Sequence, residues 1–142
     1  MLTPMIVEDN IPFRKMFKGE LPSRFPSMEV IEAGNGEEAF KGFTCCPIHL
    51  IFMDIGLPGQ NGLQLTRKIK ADHQDMPIIV VSSYDLSEYR EAAIQYGASC
   101  FVNKNSFNIE SISTFVSCFQ KAKDDGRLRP TCLRLESGEF CI

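Results

Sequence analysis

Residues 78–97, IIVVSSYDLSEYREAAIQYG, contain the pattern that decides the fold. The apolar run at 78–81 does not alternate with polar residues, which is typical of a strand buried on both faces. The next stretch has helical spacing, and the residues that share one face of that helix are Tyr89, Ala92, Ala93 and Tyr96. We expect the helix to begin at Asp85 or Ser87 and to end at Gly97, where a left-handed residue is favoured.

The same strand-then-helix unit occurs five times along the chain. The other strands are predicted at 5–7, 28–33, 49–53 and 100–103. The other helices are predicted after Asn10, with Pro22 as a stop, after Asn35, over 62–72, and from Ile109 to near Gly126. Alternating strands and helices predict an α/β fold, (βα)5, with a parallel sheet, right-handed crossovers and helices on both faces.

Length and composition favour one soluble folded domain. The chain has 142 residues, 44% of them hydrophobic, and a net charge of -3. A mildly acidic chain is a poor candidate for direct nucleic-acid binding, which needs a basic face. The N-terminus resembles no signal peptide, and no apolar run reaches the ~18 residues of a membrane span. We therefore expect no membrane contact and divide the chain into a domain at 1–126 and a C-terminal tail or truncated linker at 127–142.

Six cysteines are spread along the chain without a C-x-x-C motif. Since no secretory signal is present, we expect a reducing compartment and free thiols. Cys45 and Cys46 are adjacent, and a redox sensor built on them is disfavoured because disulfide geometry seldom permits such a bridge.

Polar residues end the predicted strands. Glu8-Asp9 follows the first strand, Asp54 the third, Ser82 the fourth and Lys104 the fifth. In open α/β sheets, ligands bind at the carboxyl ends of the strands, so we expect these groups to converge. Clustered carboxylates repel each other unless a cation joins them, and an all-oxygen cluster suits Mg²⁺.

The chemistry consistent with this set is phosphoryl transfer. A carboxylate such as Asp54 can be the nucleophile and become an acyl phosphate. The reaction then needs charge neutralisation at the equatorial oxygens, for which Mg²⁺, Lys104 and the Ser82 hydroxyl would each take one oxygen. Gly56, in the loop after Asp54, would let the backbone approach the metal closely.

Over about residues 2–126 the chain resembles the receiver domain of two-component response regulators. The motif MDIGLPG at 53–59 most resembles receivers that carry a LuxR-like helix-turn-helix output domain. The resemblance implies a flavodoxin-like, doubly wound five-stranded sheet with strand order 2-1-3-4-5. It also implies that Asp54 is the phosphoacceptor and that Ser82 and Phe101 form the switch pair. Lys104 matches the family's lysine, and the implied Mg²⁺ ligands are Glu8, Asp9, Asp54 and the carbonyl of Gly56.

The resemblance implies a cytoplasmic signalling protein with defined partners. Phosphate would come from a sensor histidine kinase or a phosphotransfer protein, and phosphorylation would remodel the face around the fourth helix, fifth strand and fifth helix. A homodimer would form on phosphorylation. The chain itself would not bind DNA, because a tail of ~16 residues is too short for an output domain. It would not be an enzyme beyond catalysing its own phosphorylation and dephosphorylation.

Three positions depart from the family pattern or from ordinary strand chemistry. Asn105 stands where most receivers have a cis proline, so we expect a different loop there. Phe101 lacks the hydroxyl of a tyrosine, so its switching would involve no hydrogen bond. Pro4 is tolerable in a central strand only as its first residue.

Two other classes of function compete with this interpretation. A phosphatase with an aspartyl nucleophile would carry a second Asp two residues after Asp54, and Gly56 occupies that position. A phosphate-independent receiver-like interaction module would have lost the acid pair, the acceptor or the lysine, and this chain keeps all of them.

Overall fold

A computed structural model describes residues 2–84, 86–106, 108–126, 133–134 and 140–141. Five parallel strands form the central sheet: β1 (Pro4–Val7), β2 (Ile31–Ala33), β3 (Leu50–Met53), β4 (Ile78–Ser82) and β5 (Cys100–Asn103). The helices between and after them are α1 (Ile11–Arg24), α2 (Gly36–Cys45), α3 (Gly62–Asp72), α4 (Ser87–Gln95) and α5 (Ile109–Asp124). The parallel strands follow the order β2-β1-β3-β4-β5, so the predicted (βα)5 flavodoxin-like fold is confirmed.

The sheet extends beyond the five predicted strands. Two short strands from the C-terminal stretch, β6 (Leu133–Arg134) and β7 (Phe140–Cys141), add to the β5 edge in the order β5-β7-β6. Strand β7 pairs antiparallel with β5, where Cys100 lies opposite Cys141. The rest of the predicted tail at 127–142 lies outside the described residues.

Each face of the sheet carries its own core. Along β3, Phe52 packs on the face covered by α1 and α5, while Ile51 and Met53 pack on the face covered by α2, α3 and α4. Solvent has almost no access to these side chains, since Phe52 is 2% exposed and Ile51 and Met53 are 0% exposed. A strand that buries alternate side chains on both faces must be apolar throughout, which explains the non-alternating runs in the sequence.

Asparagine side chains cap the helices that lead away from the strand ends. Asn10 accepts from the N–H of Phe13, Asn35 from Glu38 and Asn61 from Gln64, each at 2.9 Å. After the C-terminal end of α4, Gly97 has a φ of +103°, the left-handed conformation predicted for it. Asp85, the alternative start of α4, lies outside the described residues, and the helix begins at Ser87.

Proline behaves differently at two positions. Pro4 is the first residue of β1, as expected. The prediction that Pro22 ends the first helix is wrong, because α1 continues to Arg24. Helix α1 buries Leu21 completely, and that packing outweighs the loss of one backbone hydrogen bond.

The prediction that all thiols are free needs one correction. Cys45, Cys46 and Cys118 are free, whereas Cys100, in β5, is disulfide-bonded. Cys132 and the side chain of Cys141 lie outside the described part of the chain. Among the helices of the described residues, none has both the length and the apolar character that a membrane crossing requires.

Candidate functional site

Three carboxylates meet where β1 and β3 end. One oxygen each from Glu8, Asp9 and Asp54 lies within 4.8 Å of the other two. Glu8 is 2% exposed and Asp54 7%, whereas Asp9 faces solvent. The structure therefore brings together the three acids that the sequence predicted to converge, with two of them buried and one accessible.

Backbone pairing fixes this convergence. Strands β1 and β3 are parallel and in register, with Val7 opposite Met53, so the residues that follow them emerge side by side. The N–H of Asp54 donates to the carbonyl of Val7 at 3.0 Å, and the N–H of Glu8 donates to the carbonyl of Ala33 at 2.9 Å. Glu8 and Asp54 are thus held in place by backbone hydrogen bonds at the carboxyl ends of the strands.

The Lys104 ammonium joins the two buried acids. Its Nζ forms an ion pair with Glu8 Oε1 and lies 3.4 Å from Asp54 Oδ1. Lys104 directly follows β5 and opens a short 3-10 turn, Lys104–Ser106. A single cation therefore bridges carboxylates that come from two different strands.

Burial dominates the electrostatics of Glu8. Desolvation is the largest cause and the hydrogen bond with Asp54 the second, and together they outweigh the lowering by Lys104, so that the pKa of Glu8 is raised to about 7. Glu8 Oε2 also accepts from the N–H of Asn10 at 3.1 Å. Near neutral pH this carboxyl group binds a proton readily, because burial and Asp54 disfavour its charged form more than Lys104 favours it.

Of the two glycines near Asp54, Gly62 is the one that a close backbone approach requires. Gly56 is exposed, and a Cβ added there would make only ordinary contacts, 4.0 Å from Asp54 Oδ2 and 3.7 Å from the ring of Tyr84. A Cβ at Gly62 would lie only 1.8 Å from the carbonyl oxygen of Asp54. Gly62, the first residue of α3, is therefore required by the packing of the site, and sequence reasoning treated it only as a helix start.

The predicted switch residues lie on β4 and β5, next to the acids in strand order. Ser82 is 0% exposed, and its Oγ accepts from the N–H of Tyr84 at 3.0 Å. Phe101 is buried among the residues under α4, and the guanidinium of Arg90 covers its ring at 4.8 Å. Within the described part of the chain, Ser82 thus contacts its own loop and Phe101 contacts α4.

Sequence reasoning missed two further contacts. Arg14 of α1 donates to the backbone carbonyl of Glu8 at 2.7 Å, and the ring of Phe13 lies 4.8 Å below Lys104 Nζ. The sequence pattern predicts only that both residues belong to the helix after Asn10. Nothing in their spacing indicates that the first turn of α1 reaches the lysine after β5.

A separate cavity of about 470 Å³ lies at the opposite edge of the sheet. It is lined by residues that precede β3 and β4 and by the ends of α3 and α5, among them Ile48, His49, His73, Met76 and Phe119. It contains none of the converging acids, so the candidate site is the carboxylate cluster at the carboxyl edge.

Comparison with known proteins identifies the family. Residues 5–116 match the family described as "Response regulator receiver domain". The chain belongs to this family, as the resemblance of its strand-end motifs predicted.

Two curated relatives contain a similar segment within longer proteins. The chain is 34% identical over 105 residues to a "Protein-glutamate methylesterase/protein-glutamine glutaminase" of Geobacillus kaustophilus. It is 33% identical over 103 residues to a "Cyclic di-GMP phosphodiesterase" of Thermotoga maritima. Each match covers 72% of this chain but only 30% and 27% of the respective relative, so the chain spans less than a third of either.

Solved receiver structures share the fold. Response regulator protein TrrA from Thermotoga maritima, in complex with Mg(2+)-BeF, is 31% identical with a TM-score of 0.73, covering 84% of this chain and 99% of that one. A LuxR-family DNA-binding response regulator from Staphylococcus aureus is 22% identical with a TM-score of 0.75, covering 84% and 98%. The second likeness is to the fold alone.

Proposed function

We propose that this receiver domain is a phosphoacceptor switch of a two-component system, phosphorylated on Asp54. The observation that carries the proposal is the Lys104 ammonium, which lies 3.4 Å from Asp54 Oδ1 and pairs with the buried Glu8. A cation held against one carboxylate oxygen stabilises negative charge that develops there during transfer. Phosphoryl donors can approach Asp54, because it is bordered by Asp9 and Gly56, which are both exposed, and Gly56 has no side chain to cover it.

The chemistry is a displacement at phosphorus. An Asp54 oxygen forms a bond to the phosphorus of a phosphohistidine or acyl phosphate donor while the bond from phosphorus to the donor's nitrogen or oxygen breaks. The leaving group keeps the electron pair: a phosphohistidine whose second ring nitrogen carries a proton leaves as neutral imidazole, and an acyl phosphate donor leaves as a carboxylate. Asp54 becomes an acyl phosphate, and Lys104 can pair with a phosphoryl oxygen as it leaves Glu8.

The donor set at this edge fits a magnesium ion. Three carboxylates supply hard oxygen ligands, and they carry more negative charge than Lys104 alone neutralises. Burial and the neighbouring Asp54 raise the pKa of Glu8 to about 7, and a cation bound at this edge would favour the charged form of that carboxyl group. Glu8, Asp9, Asp54 and the backbone carbonyl of Gly56 would hold the ion, Glu8 through water. When bound, Mg²⁺ would neutralise charge on the transferring phosphoryl oxygens.

Ser82 and Phe101 would carry the response away from Asp54. The Ser82 hydroxyl is held by the N–H of Tyr84. A phosphoryl group on Asp54 offers a stronger, charged acceptor to that hydroxyl. Turning toward it would break the Tyr84 contact and loosen the loop that leads into α4. The remodelled face would then include α4, β5 and α5, and a homodimer through that face is part of the proposal.

The partners follow from the donor chemistry. A sensor histidine kinase or a phosphotransfer protein supplies the phosphohistidine, and a cytoplasmic location is proposed because such donors work there. The domain acts as a regulatory module and catalyses only its own phosphorylation and dephosphorylation. Because the relatives are much longer than this chain, any output activity, including DNA binding, would belong to a further domain and not to residues 1–126.

Incubation with acetyl phosphate and Mg²⁺ tests the proposal. Intact-mass spectrometry is expected to find one added phosphoryl group on the wild-type protein, lost on treatment with hydroxylamine, and none on Asp54→Asn. The matched control is Asp72→Asn, at the C-terminal end of α3, which should be phosphorylated as wild type is. No added mass on the wild type, or equal mass on Asp54→Asn, refutes the proposal and favours a phosphate-independent interaction module.

A second assay separates the switch from an enzyme. Gly56 occupies the position where an aspartyl phosphatase would place its general acid. We therefore expect no steady turnover of p-nitrophenyl phosphate. Multiple turnovers that Asp54→Asn abolishes would identify a phosphatase instead.

A further inference from the structure

The Lys104 ammonium has a third neighbour besides the two acids. Its Nζ lies over the face of the Phe13 ring, 4.8 Å from the ring centroid. The Lys104 side chain is only 17% exposed, so this contact lies in a largely desolvated space. Cation–π attraction strengthens when water is excluded. The ammonium is therefore bounded by two carboxylates and by the negative face of an aromatic ring.

The Phe13 ring is itself firmly placed. The N–H of Phe13 donates to the capping side chain of Asn10 at 2.9 Å, which fixes the first turn of α1. The ring meets Phe17 edge to face, with centroids 6.1 Å apart, and Phe17 packs on Phe52 at 4.6 Å. Phe52 lies in β3, two residues before Asp54. A chain of aromatic contacts thus ties the ring to the strand that carries the acceptor.

We propose that Phe13 is a positioning residue that holds the Lys104 ammonium at Asp54. This inference rests on the proposed function, since the ammonium is expected to neutralise a phosphoryl oxygen there. A lysine ends in a flexible four-carbon stem and loses rotamer entropy whenever its charge is held in one place. Because the ring holds the ammonium beside Asp54 before transfer begins, less side-chain entropy is lost during the transfer itself. Phe13 does not touch the donor and takes no chemical part.

The test compares Phe13→Leu with Phe13→Tyr. Leucine fills most of the same space but has no aromatic face, whereas tyrosine keeps the face and can point its hydroxyl to solvent. Phe25→Leu is the matched control, because Phe25 also packs half-buried against the same core. Phosphorylation of Asp54 by acetyl phosphate should slow by about two- to fivefold in Phe13→Leu, the kinetic equivalent of one cation–π contact. It should stay near the wild-type rate in Phe13→Tyr and Phe25→Leu.

An NMR readout does not depend on phosphorylation. The ring current of Phe13 should displace the signals of the Lys104 ε-methylene, which are assigned by their loss in Lys104→Arg. In Phe13→Leu those signals should move to the positions of an ordinary lysine, and in Phe13→Tyr they should stay displaced. A change confined to stability, with equal loss in Phe25→Leu, would indicate a packing role.

The two proposals fail differently. If the wild-type protein takes no phosphoryl group, the proposed function is refuted, and the Lys104 signals still report whether the ring holds the ammonium. If the wild type is phosphorylated but Phe13→Leu matches it in rate, the positioning role is refuted while the switch stands. Lys104 signals that are unchanged in Phe13→Leu would overturn the inference directly.

Discussion

The guanidinium of Arg90 lies over the ring of Phe101, with Cζ 4.8 Å from the ring centroid, and the ring is 3% exposed. Arg90 belongs to α4 and Phe101 to β5, so the contact joins the two elements whose relation would change on signalling. Phe101 has no hydroxyl with which to make a hydrogen bond at this position. A cation packs on the face of its ring instead, and core residues enclose the rest of the side chain.

This contact should be measurable as a coupling between the two side chains. Arg90→Gln removes the cation, and Phe101→Leu removes the aromatic face while keeping an apolar side chain. In a double-mutant cycle by urea unfolding, we expect a coupling of about 0.5–1 kcal/mol, the range of a partly exposed cation–π pair. Strictly additive effects of the two substitutions would show that the guanidinium only rests near the ring.

Local signals were enough to predict most of the fold. Asn10 and Asn35 cap helices as expected, because a side-chain oxygen before an apolar-periodic stretch has few other roles. Pro22 was misjudged because burial of its neighbour Leu21, a tertiary effect, keeps the last turn of α1 in place. Strands β6 and β7 were missed, since two-residue strands carry no periodicity and depend on the partner edge.

In the candidate site, too, some contacts follow from local sequence signals and others depend on tertiary packing. Glu8, Asp54 and Lys104 end strands, and parallel topology brings strand ends together, so their convergence was predictable. The contact of Phe13 with Lys104 depends on how α1 lies across the sheet, which no spacing rule gives. The disulfide at Cys100 likewise depends on which segment packs beside β5.

Gly62→Ala should be among the most destabilising single substitutions in the domain. Its Cβ would lie 1.8 Å from the Asp54 carbonyl oxygen and 2.7 Å from the Asp54 carbonyl carbon. Both are backbone atoms that cannot rotate away, so α3 or the loop after β3 must shift. We expect a loss of about 3 kcal/mol in the free energy of unfolding, the upper end for overpacking.

The control for that substitution is Gly19→Ala, in the middle of α1. Apart from the backbone of α1 itself, no atom of the described residues lies within 4 Å of a Cβ at Gly19, and alanine favours the helix. We expect Gly19→Ala to stabilise the protein by about 0.5–1 kcal/mol. A Gly62→Ala protein as stable as wild type in the same urea titration would contradict the close approach described above.

Glu32 should make stability depend on pH in the acid range. Burial raises its pKa, but hydrogen bonds from Lys18, Lys15 and Arg14 outweigh burial and lower the pKa to about 2. A carboxyl group whose pKa is lower in the folded state stabilises the protein above its unfolded pKa, and this contribution is lost as the pH falls toward the folded pKa. For Glu32 the window runs from 4.5 down to about 2.

Glu32→Gln should therefore cost stability near neutral pH and cost almost nothing near pH 2. The expected loss at pH 7 is about 1–2 kcal/mol, because two of the three cations are well exposed and screened by water. Glu37→Gln is the matched control, since the Glu37 side chain is 80% exposed and its one ion pair among the described residues is with Lys41 at 3.5 Å. A pH-independent difference between wild type and Glu32→Gln would show that Glu32 acts through packing and not through charge.

Lys104→Gln separates metal binding from the response to phosphorylation. The Lys104 ammonium occupies the same negative field that a magnesium ion would enter, since it contacts both Glu8 and Asp54. Removing it takes away a competing charge, so Mg²⁺ should bind the variant at least as tightly as it binds wild type, as measured by thermal shift against magnesium concentration. Asp9→Asn should weaken binding instead, because it removes one of the proposed ligands. The stabilisation that beryllofluoride gives the wild-type protein should be largely lost in Lys104→Gln, since no ammonium remains to pair with the bound group. Abolished magnesium binding in Lys104→Gln would mean that the lysine organises the carboxylates and does not compete for them.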